Sequence, residues 1–599
     1  MSSMIEQFIS AGILEDFDRY LAATLRRLDP GTGEQVLLAA ALARAGIGKG
    51  HICLDLEKIC AGEDLTAGEL PGQALPPLPV LLPELAASPL VGNGETTTPL
   101  VLEGNRLYLQ RYWRYEAELA EMLLARAKSR KDGLDEARLD RCLAQLFSEG
   151  AEVSRQQREA CRRVFRQRLG IISGGPGTGK TTLIARCLAL ALLYAHDSGA
   201  ALPGILLLAP TGKAAARLSE SLAARQKELK LPAELLAAMP LAASTIHRAL
   251  GYRPKTPTSF RHDRKNPLPQ ELIVVDEASM VDMALMAKLF AAVNPRSSIV
   301  LLGDRDQLSS VEAGSILGDI CRAALAGART GGEDGGAQAG LLADCVVELR
   351  KSYRFKEDSP IGMLAAAVNS GAAAKTLALL AEESGGVRFF SRREEGEGAW
   401  PAGLAELIRA SYAPIFTAPD PHAALAVLAT FRILCAHRHG PDGVAAMNGL
   451  VERLLGIAGK GGGGGLGYKG RPILIQENNY RLRLFNGDTG IIWPSAGGEP
   501  QAFFPGEEKG ALRAIPLMLL PAHETAYAMT IHKSQGSEFE RVALILPQED
   551  SPLLSRELLY TGITRARQEV MIIGSAEVVG AAVSRRVERA SGLGEKLVG

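Results

Sequence analysis

A run in the first third of the chain, Ile171-Ile172-Ser173-Gly174-Gly175-Pro176-Gly177-Thr178-Gly179-Lys180-Thr181-Thr182, constrains the fold more than any other stretch. It fits the phosphate-binding P-loop pattern: Gly174, four residues, then Gly179-Lys180-Thr181. Its flanks agree. Leu169 to Ile172 reads as a buried strand, and Leu183 to Tyr194, rich in Ala and Leu, as a helix. The glycines let the backbone, with Gly175, Pro176, Thr178 and Thr182, wrap a phosphate and turn N–H groups inward. The helix N-terminus adds partial positive charge. Lys180 is expected to reach the β- and γ-phosphates of a nucleotide, and the Thr181 hydroxyl to bind Mg²⁺. A chance Gly-rich turn ahead of a core helix would not require strand, loop and helix in register.

With 599 residues the chain has room for about four domains. Lys+Arg and Asp+Glu both number 67, so no global basic field points to nucleic acid, and any strand-binding groove has to be local. The cysteines at 53, 60, 142, 161, 187, 321, 345 and 435 form no CxxC pair, which argues for reduced core thiols and against zinc. Met1 to Arg27 carries Glu6, Glu15, Asp16 and Asp18, unlike a signal peptide, and no uninterrupted apolar run reaches membrane-spanning length. A cytoplasmic location without membrane contact is expected.

Residues 1 to about 66 carry apolar side chains at helical spacing, among them Ile5, Phe8, Ile9, Ile13, Leu14 and Phe17. Pro71 to Pro99 reads as loop and short helix, Pro99 to Leu109 as a hairpin turning at Gly104-Asn105, and Arg111 to Lys128 as a charged helix. Residues 1–140 form a mixed α/β block without a catalytic cluster. From 150 to 325, strand and helix alternate, the pattern of a parallel α/β sheet. Apolar strands at Ile205–Ala209, Leu272–Val275 and Ile299–Leu302 each release polar residues at their C-terminal ends, where open α/β sheets bind ligands. Residues 326–340 form a Gly-rich loop expected to be mobile. A second α/β unit takes up 341–465 and 523–599, with strands at Phe431–Ala436, Ala526–Ile531, Val542–Leu546 and Val570–Ile573. The glycines 461 to 465 read as a tether. Residues 466–522 read as a small all-β insert, with strands at Pro472–Ile475, Arg481–Phe485 and Thr489–Trp493 and a type I′ turn at Asn486-Gly487. The expected architecture is α/β, with two RecA-like P-loop NTPase lobes, the mixed N-terminal block and the insert.

Asp276 and Glu277 stand where an apolar strand ends. Asp276 suits water-mediated Mg²⁺ binding, and Glu277 suits orienting and deprotonating an attacking water. An acidic pair after a strand is often only a solvated turn, but behind a P-loop it reads as catalytic. Gln307, at the end of the next strand, is long and neutral enough to hydrogen-bond a γ-phosphate.

Several stretches together resemble the superfamily 1 helicases. They are Gly174 to Thr181, Ala-Pro-Thr-Gly-Lys-Ala-Ala (209–215), Thr-Ile-His-Arg (245–248), Val-Asp-Glu-Ala-Ser-Met (275–280) and Gly-Asp-Arg-Asp-Gln-Leu (303–308). Leu-Arg-Lys-Ser-Tyr-Arg-Phe (349–355), Ala528 to Glu538 and Leu559 to Arg567 continue the series. Gln157 stands where that family has its adenine-reading Gln. Within it the chain is most similar to the RecD branch, the alpha subunits of exodeoxyribonuclease V. Ser-Tyr-Arg-Phe (352–355), Gly470 to Gly490 and Pro99 to Trp113 carry that similarity, which spans nearly the whole chain.

The resemblance implies an ATP- and Mg²⁺-dependent motor that translocates 5′→3′ on single-stranded DNA from duplex ends. It implies RecB-like and RecC-like partners in recombinational break repair, with the nuclease site on another chain. It also implies that the insert is SH3-like, that Arg354 and Arg565 are arginine fingers from the far lobe, and that Thr211, Lys213, Thr245, His247, Thr530, His532, Ser534 and Gln535 contact DNA phosphates. A strand-splitting hairpin is expected near 253–269. Residues 1–140 are expected to dock a partner outside the motor, through an aromatic cluster of Tyr108, Tyr112, Trp113 and Tyr115; the alternative is that these aromatics pack the block's own core or its contact with the first lobe. Two other readings stay open: a stand-alone RecD-like helicase, and a nucleotide-dependent subunit that binds DNA ends without processive unwinding.

Overall fold

The computed structural model describes residues 3–62, 75–131, 133–147, 152–253, 259–329, 337–354, 359–383, 385–391, 400, 402–457, 467–479, 481–506 and 510–598. The N-terminal helices Ser3–Ser10, Asp16–Leu28 and Glu34–Gly48 follow the apolar spacing. The third is buried continuously from Val36 to Ala43, as a helix apolar all round must be. Beside it lies a sheet of β1 (Leu54–Asp55), β2 (Val91–Gly92), β3 (Leu100–Glu103) and β4 (Arg106–Leu109), in the order β1-β4-β3-β2. β3 and β4 are the expected hairpin, and Gly104 at φ 57° makes its turn. Residues 71–74 of the Pro-rich stretch lie outside the described residues; its remainder holds the helix Leu78–Ala87.

The expectation that residues 1–140 stand apart from the motor does not hold. The helix Gln110–Lys128 lies along Met283–Ala292 of the first lobe, and its Leu119, Leu123 and Ala127 share one core with Leu169, Ile171 and Ile299. The Arg126 guanidinium donates to Val293 O (2.7 Å), Ser297 O (2.8 Å) and Asn294 O (3.0 Å), capping the end of Met283–Ala292 with positive charge. Tyr108 is fully buried, and Tyr112, Trp113 and Tyr115 pack against the same core. The aromatic cluster therefore builds an internal joint.

The first lobe is a parallel sheet of β5 (Leu169–Gly174), β6 (Ile205–Ala209), β7 (Ala243–Thr245), β8 (Leu272–Val275), β9 (Ser298–Gly303) and β10 (Val346–Leu349), in the order β10-β5-β9-β8-β6-β7. β5 and β9 are buried at every position, as expected for strands covered on both faces. β10 extends this lobe past the expected boundary at 325. The expected loop 326–340 is helical at both ends, in Ile316–Arg329 and Ala337–Cys345; residues 330–336 lie outside the described residues.

The second lobe begins with the helix Pro360–Asn369 and strands β11 (Val387–Ser391) and β12 (Phe431–Cys435). The Gly461–Gly465 tether lies outside the described residues. The insert follows as β13 (Pro472–Ile475), β14 (Thr489–Pro494), β15 (Pro500–Pro505), β16 (Leu512–Pro516) and β17 (His523–Thr525), an antiparallel sheet in the order β16-β15-β14-β13-β17. It runs three residues past its expected end at 522. The expected strand Arg481–Phe485 is a turn: Asn479 Oδ1 accepts from Leu482 N (3.1 Å), and Arg483 sits at φ 51°. Local side-chain bonding of this kind displaces a ladder. At Asn486-Gly487 only Gly487 is left-handed (φ 94°), so the turn is not type I′. β18 (Ala528–Thr530), β19 (Phe539–Ile545) and β20 (Ala566–Gly574) complete the parallel sheet β11-β20-β19-β12-β18.

The final residues do not stay with the second lobe. After the helix Ala576–Ser584 the chain crosses to the N-terminal block. Arg589 donates to Gly314 O (2.8 Å), and Ala590 O accepts from Ile52 N (2.8 Å). The helix Leu593–Val598 sinks Leu593 and Leu597 into the joint core. There the buried Glu116 carboxylate receives Lys596 Nζ (2.9 Å), Ser591 Oγ (2.9 Å), Gly592 N (3.0 Å) and Tyr108 OH (3.1 Å), while Arg106 grips Glu595 with both nitrogens.

Candidate nucleotide cleft and strand-binding face

β5 ends in Gly174, and the loop turns through Gly177 (φ 76°) and Gly179 (φ 85°) into the helix Lys180–Asp197. No side chain caps this helix, so its first N–H groups stay available to an anion. Thr178 Oγ1 donates to Gly175 O (2.8 Å), and Lys180 Nζ to Gly175 O (3.1 Å) and Gly174 O. A Cβ at Gly177 would sit 2.3 Å from the Cβ of Arg354, and one at Gly175 2.8 Å from the Tyr560 hydroxyl. The loop is thus pressed from both sides; glycine is required at 177 by space as well as by φ, and favoured at 175 by space. Pro176, Thr181, Thr182 and Gln157 line the same cleft of about 820 Å³.

β8 delivers the acidic pair to this cleft. Burial and the adjacent Glu277 push the Asp276 carboxyl above the usual carboxylate range, against the pull of Lys180. Glu277 is held at φ 51°, a left-handed conformation that costs a non-glycine residue about 1–3 kcal/mol and that concentrates at functional sites. Crowded carboxylates with the Thr181 hydroxyl on the same cleft form a hard oxygen donor set, which fits a small divalent cation such as Mg²⁺. Gln307 also lines the cleft; its Nε2 donates to Asp304 Oδ2 (3.0 Å), which accepts from Tyr560 OH as well (3.1 Å).

Arg565, just ahead of β20, is buried and donates to Thr561 O (3.1 Å), Ser537 O (3.2 Å) and Thr564 Oγ1 (3.5 Å), all neutral oxygens. Arg354 does not come from the far lobe: it follows β10 of the first sheet on the connector between the lobes. Phe355 of the same motif lies outside the described residues. Burial, then the nearby Arg217, Arg565 and Arg567, push the Arg354 guanidinium down to about 10. Sequence reasoning missed the group that gathers these cations. The Glu538 carboxylate binds Arg354 (2.5 Å), Arg567 (2.8 Å) and Arg217, so it ties connector, second lobe and first lobe together. Glu538 and Arg567 lie within the quoted motifs. Arg217, one turn beyond Lys213 on the helix Gly212–Gln226, had only its helical spacing to betray it. Tyr353, half exposed, stands 3.5 Å from Gln157 Nε2 at the cleft wall.

The residues expected to meet DNA divide into two groups. Thr211, Thr245 and Thr530 each accept a backbone N–H, from Ala214, Arg248 and Lys533, which leaves the hydroxyl hydrogen uncommitted to that bond. Burial pushes Lys213 down to about 8, with Arg432 adding to the shift and Asp488 opposing it. Burial likewise lowers His247, which packs on the Tyr252 and Phe260 rings, and His532. Ser534 and Gln535 do not face outward. Ser534 is fully buried and donates to Ile531 O (2.6 Å); Gln535 Nε2 donates to Leu308 O (2.9 Å), joining the second lobe to the loop after Gln307. In the stretch expected to form a hairpin, Tyr252 and Phe260 pair as an antiparallel bridge; residues 254–258, including Thr258, lie outside the described residues.

Comparison with known proteins agrees with this layout. Residues 10–108 match the family described as "RecBCD enzyme subunit RecD, N-terminal domain", 157–313 an "AAA domain" and 525–573 a "UvrD-like helicase C-terminal domain". The chain is 41% identical over 596 residues to a protein named RecBCD enzyme subunit RecD from Mycolicibacterium smegmatis, covering 99% of both chains. It belongs to the RecD family. A second RecD relative, from Mycobacterium tuberculosis, is 40% identical across 100% of this chain and 97% of its own. The RecD-family chain is also 30% identical to the ATP-dependent RecD2 DNA helicase of Deinococcus radiodurans, over 81% of this chain and 57% of that one. Among the described residues no helix is long and apolar enough to cross a membrane.

Proposed function

We propose that this chain is an ATP-dependent 5′→3′ DNA motor that works as the RecD subunit of a RecBCD-type helicase–nuclease, beside RecB-like and RecC-like chains. The observation that carries the reading is the cleft itself. A P-loop lysine, an acidic pair and Gln307 from one lobe face Arg565 from the other, with Arg354 on the connector between them. Lys180 and the helix N-terminus bind the triphosphate, and Gln157 and Tyr353 flank the base. Thr181 and Asp276 would hold Mg²⁺, which neutralises phosphate charge when bound. Glu277 orients the attacking water and takes its proton. Arg354 and Arg565 supply planar donors, charged at neutral pH, for the transferring phosphoryl group, each worth roughly 10³–10⁵ in rate. Because Arg565 belongs to the second lobe, the reactive arrangement requires lobe closure, and reopening gives a stepping cycle. Thr211, Lys213, Thr245, His247, Thr530 and His532 hold the strand by its phosphates, which suits a motor indifferent to sequence.

Docking to the partner subunits falls on the outer face of Asp16–Leu28, where Phe17, Tyr20 and Leu28 are 61%, 66% and 65% exposed on one side of the helix. The motor test is strand displacement on duplexes with a 5′ or a 3′ single-stranded tail. Unwinding of the 5′-tailed substrate alone is expected, and unwinding of the 3′-tailed one alone would reverse the assignment. Co-purification with two large chains, lost in Tyr20→Asp, tests the assembly.

A further inference from the structure

The two lobes repeat one arrangement at their outer edges. In the first lobe the edge strand β7 and its continuation read Ala243-Ser244-Thr245-Ile246-His247; in the second, β18 and its continuation read Ala528-Met529-Thr530-Ile531-His532. Each edge strand runs parallel to the next strand inward, and each threonine pairs with that strand's last residue: Thr245 with Ala209 of β6, Thr530 with Cys435 of β12. In the first lobe the loop released by the inner strand carries Thr211 and Lys213. Its counterpart in the second lobe, Ala436-His437-Arg438-His439, carries no role in the cleft or in the strand-binding set.

We infer that the loop after β12 is the second lobe's counterpart of the Thr211–Lys213 loop, and that Arg438 binds a backbone phosphate of the translocating single strand. Its ion pair links it to the edge strand of that repeat. Glu524 of β17 takes Lys533 at 2.6 Å and Arg438 at 3.4 Å, so the two cations lie on either side of one carboxylate. The Lys533 N–H in turn caps Thr530 Oγ1 (3.3 Å). Arg438 is thereby tied to the residue whose register defines the repeat, yet its side chain stays 54% exposed. The loop is fixed from behind, where Val444 N donates to His437 O (3.2 Å). His437 Nε2 is buried with no hydrogen-bond partner among the described residues, a polar atom left over on the same loop. Each lobe then holds the strand by two adjacent loops, so one lobe keeps a two-point grip while the other moves.

The inference rests on the translocase reading, and its test separates the two. The full chain is titrated against fluorescein-labelled oligo(dT) and a mixed-sequence oligonucleotide by anisotropy, over a range of salt concentrations. Arg438→Ala should weaken both equally and make the slope of log K against log salt shallower by about 0.7, the loss of one single-strand phosphate contact. Arg438→Lys should keep the slope. An Arg438→Ala chain with wild-type affinity and slope, or one weakened for a single sequence only, overturns the inference alone. A wild-type chain that leaves both oligonucleotides unbound overturns the translocase reading and the inference with it.

Discussion

Lys596→Met probes the joint between the last helix and the N-terminal block. Glu116 is fully buried, and the Lys596 side chain is 16% exposed. Removing one partner of a buried ion pair typically costs about 3–5 kcal/mol, because the other charge is left in a poor solvent. Here Glu116 keeps Tyr108 OH, Ser591 Oγ and Gly592 N, three neutral donors, which places the expected loss at the lower end, about 3 kcal/mol. Adding Glu116→Gln to Lys596→Met removes the stranded charge and should recover more than half of that. Trp113 packs in this joint, so its fluorescence in a Trp400→Phe/Trp493→Phe background reports the transition during urea unfolding. The pH dependence has a definite sign. Burial works to lower the Lys596 pKa, but Glu116 and Glu103 outweigh it and the net shift is upward. The stabilisation is therefore complete below the unfolded value of about 10.4 and fades as pH rises through the folded one. The gap between wild type and Lys596→Met should close in strong alkali. A single variant within about 0.5 kcal/mol of wild type, or a double variant no better than the single, would refute the reasoning.

Lys180→Gln should abolish DNA-stimulated ATP hydrolysis with an unchanged melting curve; normal turnover would take the P-loop out of the mechanism. Arg354→Ala and Arg565→Ala should each bind ATP nearly normally yet lower kcat by about 10³-fold or more, since a finger acts on the transition state. Loss of nucleotide binding with kcat retained would make that arginine a ground-state contact.

The cleft was legible in the sequence because its parts are local: a strand, a turn that only glycine can make, and a helix, all contiguous from Leu169 to Asp197. What was not legible depends on which strand or side chain meets which over long separations. Val346–Leu349 has the composition of an edge strand that could close either sheet, and its pairing with β5 assigns it to the first lobe. That pairing moved Arg354 from the far lobe to the connector. Ser534 and Gln535 are polar residues inside a recognisable motif, and nothing in their identity says that their side chains turn inward. Arg481 to Phe485 alternates like a strand, but the side chain of Asn479 had already bonded the backbone that a ladder would have used. Tyr108 to Tyr115 has the composition of an interface hot spot because it is one, between two parts of the same chain.

The crossing of the last residues has a consequence for how the protein is made. Leu593 and Leu597 fill the same core as Leu119 and Leu169, and among the described residues Glu116 finds its ammonium partner at Lys596 alone. During synthesis the N-terminal block and the first lobe leave the ribosome hundreds of residues before the piece that seals them. Until then Glu116 is buried without its counter-charge or stays in water with the core around it open. Domains released early usually settle as units before the rest appears. This one must wait with a seam unsealed, and chains cut short upstream of Leu593 carry an exposed apolar slot that marks them as unfinished.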